Sequence, residues 1–325
     1  MLYHLPKNFI VCKGEMYMIE VYKYGGNILK DEAKRKMIYE NIKQKKELGI
    51  KIIMVVSAFG REKDSFSTDN LAKNIELLSD KDKDQIMTFG EIYSSLIIKN
   101  ELLREGFKVN NLYYDEIGIF CDNTYQDGNI RYVDMSYLEE IINNNDIVVV
   151  PGFIGESSEG KIISLGRNTS DLTAVIIAKY FNLNTVNIIK EVDGVFKMDP
   201  KQGESKFIKN ISYDEMISLV NAGSKMFAKK TLQYAKDNNI VLEVKGLNKD
   251  YGTIISTKSC GEDILFIDNT DELIKVVFKN MEIFNTLFKS LIESKLKLDE
   301  LTIINNIVYL KGKKEEIIEI INEYL

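Results

Sequence analysis

The chain has 325 residues, 45% of them hydrophobic, which is enough for one large domain and a smaller one. Its 43 basic and 49 acidic residues give a formal net charge of −6 without a long basic run, which argues against a nucleic-acid or membrane-surface partner. No apolar run is long enough to span a bilayer. Three widely spaced cysteines fit a reducing, cytoplasmic protein better than a disulfide framework or a zinc site.

Residues 1–17 are interpreted as an N-terminal extension. Their apolar stretch is too short for a signal peptide and ends in charge. Residues 13–15 (KGE) are what a purine-rich ribosome-binding site gives when it is translated in frame, so we expect natural synthesis to start at Met16 or Met18. A flexible arm that starts at the first methionine is the alternative. The only histidine, His4, lies in this segment, so no catalysis is assigned to histidine.

From Ile19 onward, short apolar runs alternate with helical periodicity. Strands are predicted at 19–23, 52–57, 108–114, 147–151 and 185–189. Helices are predicted at 31–48, 69–78, 84–104, 136–143, 171–181, 213–220 and 225–237. Apolar strands separated by helices predict an α/β fold in which helices sandwich a mostly parallel sheet. Ligands of such sheets bind beyond the carboxyl ends of the strands.

A polar linker at 259–263 ends this alternation, so we expect a catalytic domain at 18–260 and a small domain at 264–325. In the small domain the predicted order is strand 273–279, helix 281–295, strand 300–305, strand 307–311 and helix 313–324. This order predicts a small α+β unit of the ferredoxin-like kind without its last strand.

The first strand ends in Lys23 and Tyr24, and Gly25 and Gly26 follow. Glycines expose backbone amides to a close ligand, and an ammonium group adds a mobile positive charge. The segment is either a phosphate-binding loop or a structural turn.

Two further segments also offer alternatives. Thr68 or Asp69 either caps the helix that follows or contacts a ligand. Glu91 lies in an apolar helical segment, where a carboxylate needs a partner. That partner is either an internal cation or the amino group of a ligand.

Arg167 adjoins the start of an apolar helix preceded by Thr169, Ser170 and Asp171, each a possible cap. A guanidinium group beside the positive end of a helix makes a receptor for a carboxylate or a phosphate. The alternative is an arginine that pairs with an acid of the protein itself.

In their joint order these segments resemble aspartokinase, of the amino-acid-kinase superfamily, over residues 18–258. The motifs that carry the resemblance are Lys-Tyr-Gly-Gly at 23–26, Val-Ser-Ala-Phe-Gly at 56–60, Ser-Thr-Asp at 67–69, Phe-Gly-Glu at 89–91, Gly-Arg at 166–167 with Ser-Asp at 170–171, Val-Asp-Gly-Val at 192–195 with Asp-Pro at 199–200, Gly-Ser-Lys-Met at 223–226 and Gly-Thr-Ile-Ile at 252–255.

The resemblance implies ATP-dependent phosphorylation of the side-chain carboxylate of L-aspartate, the entry to lysine, threonine and methionine biosynthesis. The implied catalytic residues are Lys23 and Asp171. The implied aspartate-binding residues are Ser57, Thr68, Glu91, Arg167 and Ser170. The implied ATP-binding residues are Lys23, Tyr24, Gly25, Gly26, Lys190, Glu191, Asp193, Phe196, Lys201 and Lys225. Of these, Lys190, Glu191, Phe196, Lys201 and Lys225 are expected near the nucleoside. Mg²⁺ is expected to be held mainly by the ATP phosphates, with no direct protein ligand.

The sequence departs from the family pattern at four places. They are Asn27-Ile28 for Thr-Ser, Asn168-Thr169 for Gly-Gly, Lys190-Glu191 for Thr-Asp and Ala228-Lys229 for His-Pro. Two alternatives to an active aspartokinase therefore stay open. One is a weakened paralogue that binds nucleotide or amino acid as a regulatory protein, and the other is a kinase for another small carboxylate.

The resemblance also implies ACT-like regulation by the C-terminal domain, of which one incomplete unit is predicted at 264–325. Residues 279–282 (KNME) stand where effector-binding modules usually have Pro-Gly. We therefore expect weak or absent feedback inhibition by lysine or threonine. Because the unit can pair edge to edge with another copy, a homodimer is expected.

Overall fold

The computed structural model describes residues 9–12, 15–198, 205–261, 264–268, 273–279, 281–293 and 298–322. The strands are β1 (Phe9–Cys12), β2 (Glu15–Tyr24), β3 (Ile50–Val56), β4 (Val109–Asn111), β5 (Ile119–Cys121), β6 (Ile130–Val133), β7 (Ile147–Pro151), β8 (Ile154–Glu156), β9 (Ile162–Ser164), β10 (Thr185–Lys190), β11 (Val195–Phe196), β12 (Phe207–Ile208), β13 (Asn210–Ser212), β14 (Val241–Gly246), β15 (Thr253–Ser256), β16 (Ile264–Asp268), β17 (Ile274–Phe278), β18 (Leu298–Ile304) and β19 (Ile307–Gly312). The helices are α1 (Gly26–Leu29), α2 (Glu32–Glu47), α3 (Thr68–Leu71), α4 (Asp80–Arg104), α5 (Ser136–Asn144), α6 (Ser170–Tyr180), α7 (Tyr213–Asn221), α8 (Lys229–Asp237), α9 (Met281–Glu293) and α10 (Lys314–Asn322).

The chain divides into two compact units, Met1–Asp193 with Gln233–Gly252 and Gly194–Leu232 with Thr253–Leu325. In the first unit the strands run in the order β14-β10-β2-β3-β7-β4, and every neighbouring pair along this path is parallel. β1 adds an antiparallel partner to β2, and β6-β5-β8-β9 form a separate small sheet.

Helices cover both faces of the parallel sheet because its strands are apolar on both sides. On one face, α2 and α4 pack on alternate strand residues such as Ile52 and Met54. On the other face, α6 packs on β2, β3 and β10. The predicted fold class, a mostly parallel sheet sandwiched by helices, is confirmed. Within the described ranges, no helix is both long and apolar enough to cross a membrane.

The strands predicted at 19–23, 52–57, 147–151 and 185–189 are present within a few residues, but the helix predicted at 69–78 is wrong beyond Leu71. Asn74 has a φ of +59°, which a right-handed helix excludes. Leu77 is fully exposed, so the apolar spacing that suggested a helix does not face a core. The helix predicted at 225–237 begins only at Lys229, and the strand predicted at 108–114 ends at Asn111.

The small C-terminal sheet has the antiparallel order β16-β17-β19-β18 and carries α9 and α10. Its core contains Val276 and Phe278 from β17, Leu310 from β19, and Ile317 and Ile321 from α10. The elements predicted after residue 272 are all present. β16 was not predicted, and it occupies an edge position beside β17.

Candidate active site

The carboxyl ends of the parallel strands β2, β3, β7 and β10 lie together at one end of the sheet. The predicted phosphate-binding loop begins there, directly after β2. The amide of Gly25 donates a 3.0 Å hydrogen bond to the carbonyl of Ile189, the penultimate residue of β10. A Cβ at Gly26 would overlap the carbonyl oxygen of Ala58. The loops that follow β2 and β3 are therefore in close backbone contact, which only glycine at position 26 permits without a shift.

Asp171, in the first turn of α6, holds two lysines. Its Oδ1 lies 2.8 Å from Nζ of Lys23, at the end of β2, and its Oδ2 lies 2.9 Å from Nζ of Lys190, at the end of β10. Burial acts to raise the pKa of Asp171, but Lys190 and Lys23 outweigh it, so the pKa stays below its usual value. Burial lowers the pKa of Lys190 to about 8, although Asp171 acts in the opposite direction. The result is one buried carboxylate between two ammonium groups.

Glu91 is buried in the middle of α4 and has the environment expected of an amine receptor. Its Oε1 accepts a 3.3 Å hydrogen bond from the hydroxyl of Thr68, and its Oε2 accepts none from the described residues. Burial raises the pKa of Glu91 to about 7, and the nearby amide of Ala58, Thr68 and Lys23 offset this only in part. The preceding Gly90 lets α4 approach the loop after β3, since a Cβ there would overlap the carbonyl of Phe66. No internal cation pairs with Glu91 within the described part of the chain.

Arg167 pairs with Asp69, which also lies 4.0 Å from Arg61. The alternative that the sequence left open, an arginine held by an acid of the protein itself, is therefore what the structure contains. The pair is accessible, because the side chain of Arg167 is 45% exposed. Asp69 does not cap α3, whose cap is the Ser67 hydroxyl.

The two residues that replace the family's glycines after Arg167 fit their positions. Asn168 has a φ of +61°, a left-handed conformation that asparagine tolerates better than most residues. The hydroxyl of Thr169 donates a 2.6 Å hydrogen bond to the carbonyl of Gly166. α6 then begins at Ser170, which is buried, without a side-chain cap from Thr169.

Ser57 and Glu191 connect neighbouring loops. The carbonyl of Ser57 accepts a 2.9 Å hydrogen bond from the hydroxyl of Ser94 on α4. Glu191 accepts a 2.8 Å hydrogen bond from the side-chain amide of Asn27 and lies 3.6 Å from Lys34. Two of the departures from the family pattern, Asn27 and Glu191, thus contact each other.

The structure does not test the roles of the other predicted nucleotide-binding residues. Asp193 pairs with Lys249 at 3.3 Å. Phe196 and Lys225 belong to the second compact unit, and Lys201 lies outside the described residues. Their roles stay predictions.

Two charged residues near the site, Asp84 and Arg61, were not predicted from the sequence. Asp84, buried near the start of α4, accepts hydrogen bonds from the amides of Gln126 and Ser164 and from the Ser164 hydroxyl, at 2.9, 2.9 and 2.7 Å. It thereby fixes β9 just before Arg167. An acidic residue near the start of a helix is normally explained by its favourable interaction with the helix dipole. The sequence therefore gives no separate indication that Asp84 accepts hydrogen bonds from a distant strand. Arg61 is exposed, but repulsion from its positive charge acts to lower the pKa of Lys190.

These groups can bind anions and one amine. Lys23, Lys190 and the glycine loop present positive charge and amides, while Arg167 and Glu91 suit the two charged groups of an α-amino acid. Among the residues that the structure describes, no group of three or more His, Cys, Asp or Glu side chains could hold a metal ion.

A sequence model of the amino acid kinase family matches residues 18–246. The aspartokinase of Helicobacter pylori (strain ATCC 700392 / 26695) is 31% identical over 241 residues, which are 73% of this chain and 59% of that protein. Aspartokinase 1 of Bacillus subtilis (strain 168) is 28% identical over 245 residues, 74% of this chain and 61% of that protein. The chain thus spans about three fifths of the length of these relatives.

Solved structures share the fold. The E. coli aspartokinase III structure in complex with aspartate and ADP superposes with a TM-score of 0.67 at 17% identity, covering 94% of this chain and 83% of that one. The aspartate kinase of Clostridium acetobutylicum gives a TM-score of 0.61 at 22% identity, with 94% and 82% covered.

Proposed function

Because the chain belongs to the amino acid kinase family, we propose that it is an aspartate kinase, which transfers the γ-phosphoryl group of ATP to the side-chain carboxylate of L-aspartate. The observation that carries the proposal is the position of Asp171. It holds Lys23 beside the glycine loop, and it lies four positions after Arg167 in the chain. The aspartokinase relatives, and the bound aspartate and ADP of the E. coli structure, support the same substrates.

The reaction requires little proton transfer by residues of the protein. A carboxylate with an ordinary pKa of about 3.9 is already ionised at neutral pH, so no general base is needed. One of its oxygens forms the new bond to the γ-phosphorus while the bond from that phosphorus to the bridging oxygen breaks, and ADP leaves. Catalysis then consists of aligning two anions and neutralising the charge on the transferred group.

Each charged residue has a defined task in this scheme. Arg167 exchanges Asp69 for the α-carboxylate of aspartate, and Glu91 ionises fully when the α-ammonium group reaches its vacant Oε2. Lys23, oriented by Asp171, contacts the γ-phosphoryl oxygens as their charge is redistributed. Ser57, Thr68 and Ser170 assist in holding the amino acid.

ATP and Mg²⁺ fit the chemistry of these residues. The two lysines beside the Gly25-Gly26 loop suit a triphosphate, and Asp171 is already engaged by both of them. We therefore expect Mg²⁺ to arrive on the phosphates, where it neutralises their charge, and Lys23 and the glycine loop to hold the complex.

The test is a hydroxamate assay with ATP, Mg²⁺, hydroxylamine and a panel of small carboxylic acids. We expect product with L-aspartate, and none in the Lys23→Ala variant. Product with another acid only, or nucleotide binding without turnover of any acid, would overturn the proposal. These two outcomes correspond to the two alternatives that the sequence left open.

A further inference from the structure

We propose that Lys190 is a second phosphate-binding lysine, which contacts the terminal phosphates of ATP together with Lys23. This inference rests on the proposed function for the identity of the nucleotide. It differs from the sequence-based expectation, which placed Lys190 near the nucleoside.

The geometry puts the two ammonium groups at one place. Lys23 is the penultimate residue of β2, and Lys190 is the last residue of the adjacent parallel strand β10. The registered pairs Ile188 with Lys23 and Ile189 with Tyr24 bring these strand ends together. Each lysine contacts a different oxygen of Asp171, at 2.8 and 2.9 Å. Two ammonium groups that share one carboxylate must lie close together. A phosphate within reach of Lys23 is therefore also within reach of Lys190.

The surroundings of the two lysines favour an anionic ligand. The side chains of Lys23 and Lys190 are only 8% and 17% exposed. The positive charges of Lys23 and Arg61 both act to lower the pKa of Lys190. Triphosphate oxygens bound here would offset this repulsion. Burial, with the repulsion from Lys23 and Arg61 added to it, lowers the pKa of Lys190 to about 8 in the ligand-free protein.

The glycine loop adjoins Lys190. The amide of Gly25 donates a hydrogen bond to the carbonyl of Ile189, which joins the loop to the end of β10. The Asn27–Glu191 hydrogen bond joins the residue after the glycines to the residue after Lys190. Lys190 thus lies directly beside the loop that we assign to the phosphates.

The test compares the binding of ATP, ADP and AMP, each with Mg²⁺, to the wild-type chain and to Lys190→Met by calorimetry, with AMP measured by competition. We expect ATP affinity to fall about 10- to 100-fold, as for loss of a charge-assisted hydrogen bond, and AMP affinity to change less than about 2-fold. Equal losses for ATP and AMP would place Lys190 at the nucleoside and overturn the proposal, as would unchanged ATP affinity. Lys245→Met is the matched control, because Lys245 lies on the adjacent strand β14 and pairs with Glu243 instead.

A second measurement uses the wild-type chain, so it does not depend on the folding of a variant. Amine acylation at pH 8, located by mass spectrometry, should modify Lys190, and inorganic tripolyphosphate with Mg²⁺ should protect it where adenosine does not. Protection by adenosine alone would contradict the proposal. Different results would contradict the two proposals. If ATP binding depends on Lys190 but aspartate is not turned over, only the proposed function is contradicted. If aspartate is turned over and Lys190→Met has an unchanged ATP affinity, only this inference is contradicted.

Discussion

Thr68 and Glu91, 23 positions apart, meet through a 3.3 Å hydrogen bond in which the hydroxyl donates to Oε1. The second oxygen of the same buried carboxylate accepts no hydrogen bond from the described residues. A half-satisfied buried acid costs stability in the ligand-free protein and gains its partner when an amine binds. Two consequences can be measured, one for pH dependence and one for affinity.

Glu91→Gln should stabilise the ligand-free protein at high pH. The pKa of Glu91 is about 7 in the fold and about 4.5 when unfolded, so the folded state binds more protons between these values. Stability contributed by this group is therefore lost as the pH rises from about 4.5 to 7, by up to about 3 kcal/mol. Urea denaturation should show the free-energy difference between variant and wild type growing in favour of the variant from pH 5 to pH 8. A difference independent of pH would contradict this account. The same variant should raise the KM for aspartate.

Arg167→Met should raise the KM for aspartate about 10- to 100-fold, because it removes the charge-assisted hydrogen bonds to the α-carboxylate. The Kd for ATP should remain within about 2-fold, since the guanidinium pairs with Asp69 and not with the lysine cluster. Steady-state kinetics and calorimetry measure the two quantities. Arg131→Met is the control, because Arg131 is an exposed arginine paired with Asp122 in the small sheet. Equal effects of the two variants on the KM would exclude Arg167 from the aspartate site.

Asp171→Asn should destabilise the protein by about 3–5 kcal/mol at pH 6, because it leaves two buried ammonium groups without their carboxylate. The folded-state pKa of Lys190 is already lowered to about 8, so the folded protein releases this proton before the unfolded chain does. The loss should therefore shrink as the pH rises toward 9. Chemical denaturation at pH 6 and pH 9 measures it. The double variant with Lys190→Met should recover part of the stability at pH 6, and no recovery would argue against the shared-carboxylate arrangement.

Gly26→Ala should cost more stability than Gly25→Ala. A Cβ at Gly26 would overlap the backbone carbonyl of Ala58, whereas one at Gly25 would lie 3.5 Å from the carbonyl of Ile189, an ordinary contact. We expect a loss of about 1–3 kcal/mol for Gly26→Ala from the forced backbone shift, and less than about 1 kcal/mol for Gly25→Ala. Thermal unfolding compares them, and similar melting temperatures would show that the two loops separate easily.

The sequence predicted the parallel sheet because the runs that form β3 and β7 are almost entirely apolar, and nearly every residue of these two strands is buried. The sequence did not show that the apolar residues spaced as in a helix at 69–78 lack a core to pack against. Leu77, in this segment, is fully exposed. The sequence also did not predict the small sheet β6-β5-β8-β9, whose strands have only three or four residues. Such short strands give too few alternating positions to be recognised.

In the site, local motifs located Lys23, Glu91 and Asp171, but the sequence could not show their partners. Asp171 and Lys190 are 19 positions apart and meet because α6 packs on β10, while the parallel register of β2 and β10 brings Lys23 close to Lys190. Asp84 and Ser164 are 80 positions apart. The pairing of Arg167 with Asp69 was one of two open alternatives, since each residue alone is compatible with a ligand or with an internal partner.

The guanidinium of Arg167 already carries a counterion supplied by the chain. Capture of an amino acid at this position would therefore be an exchange of one carboxylate for another, with little net change in local charge. Ionic strength should consequently affect the affinity for the acid far less than the affinity for the highly charged nucleotide. The displaced side chain of Asp69 need not return to bulk water, because Arg61, 4.0 Å away, offers it a second cation.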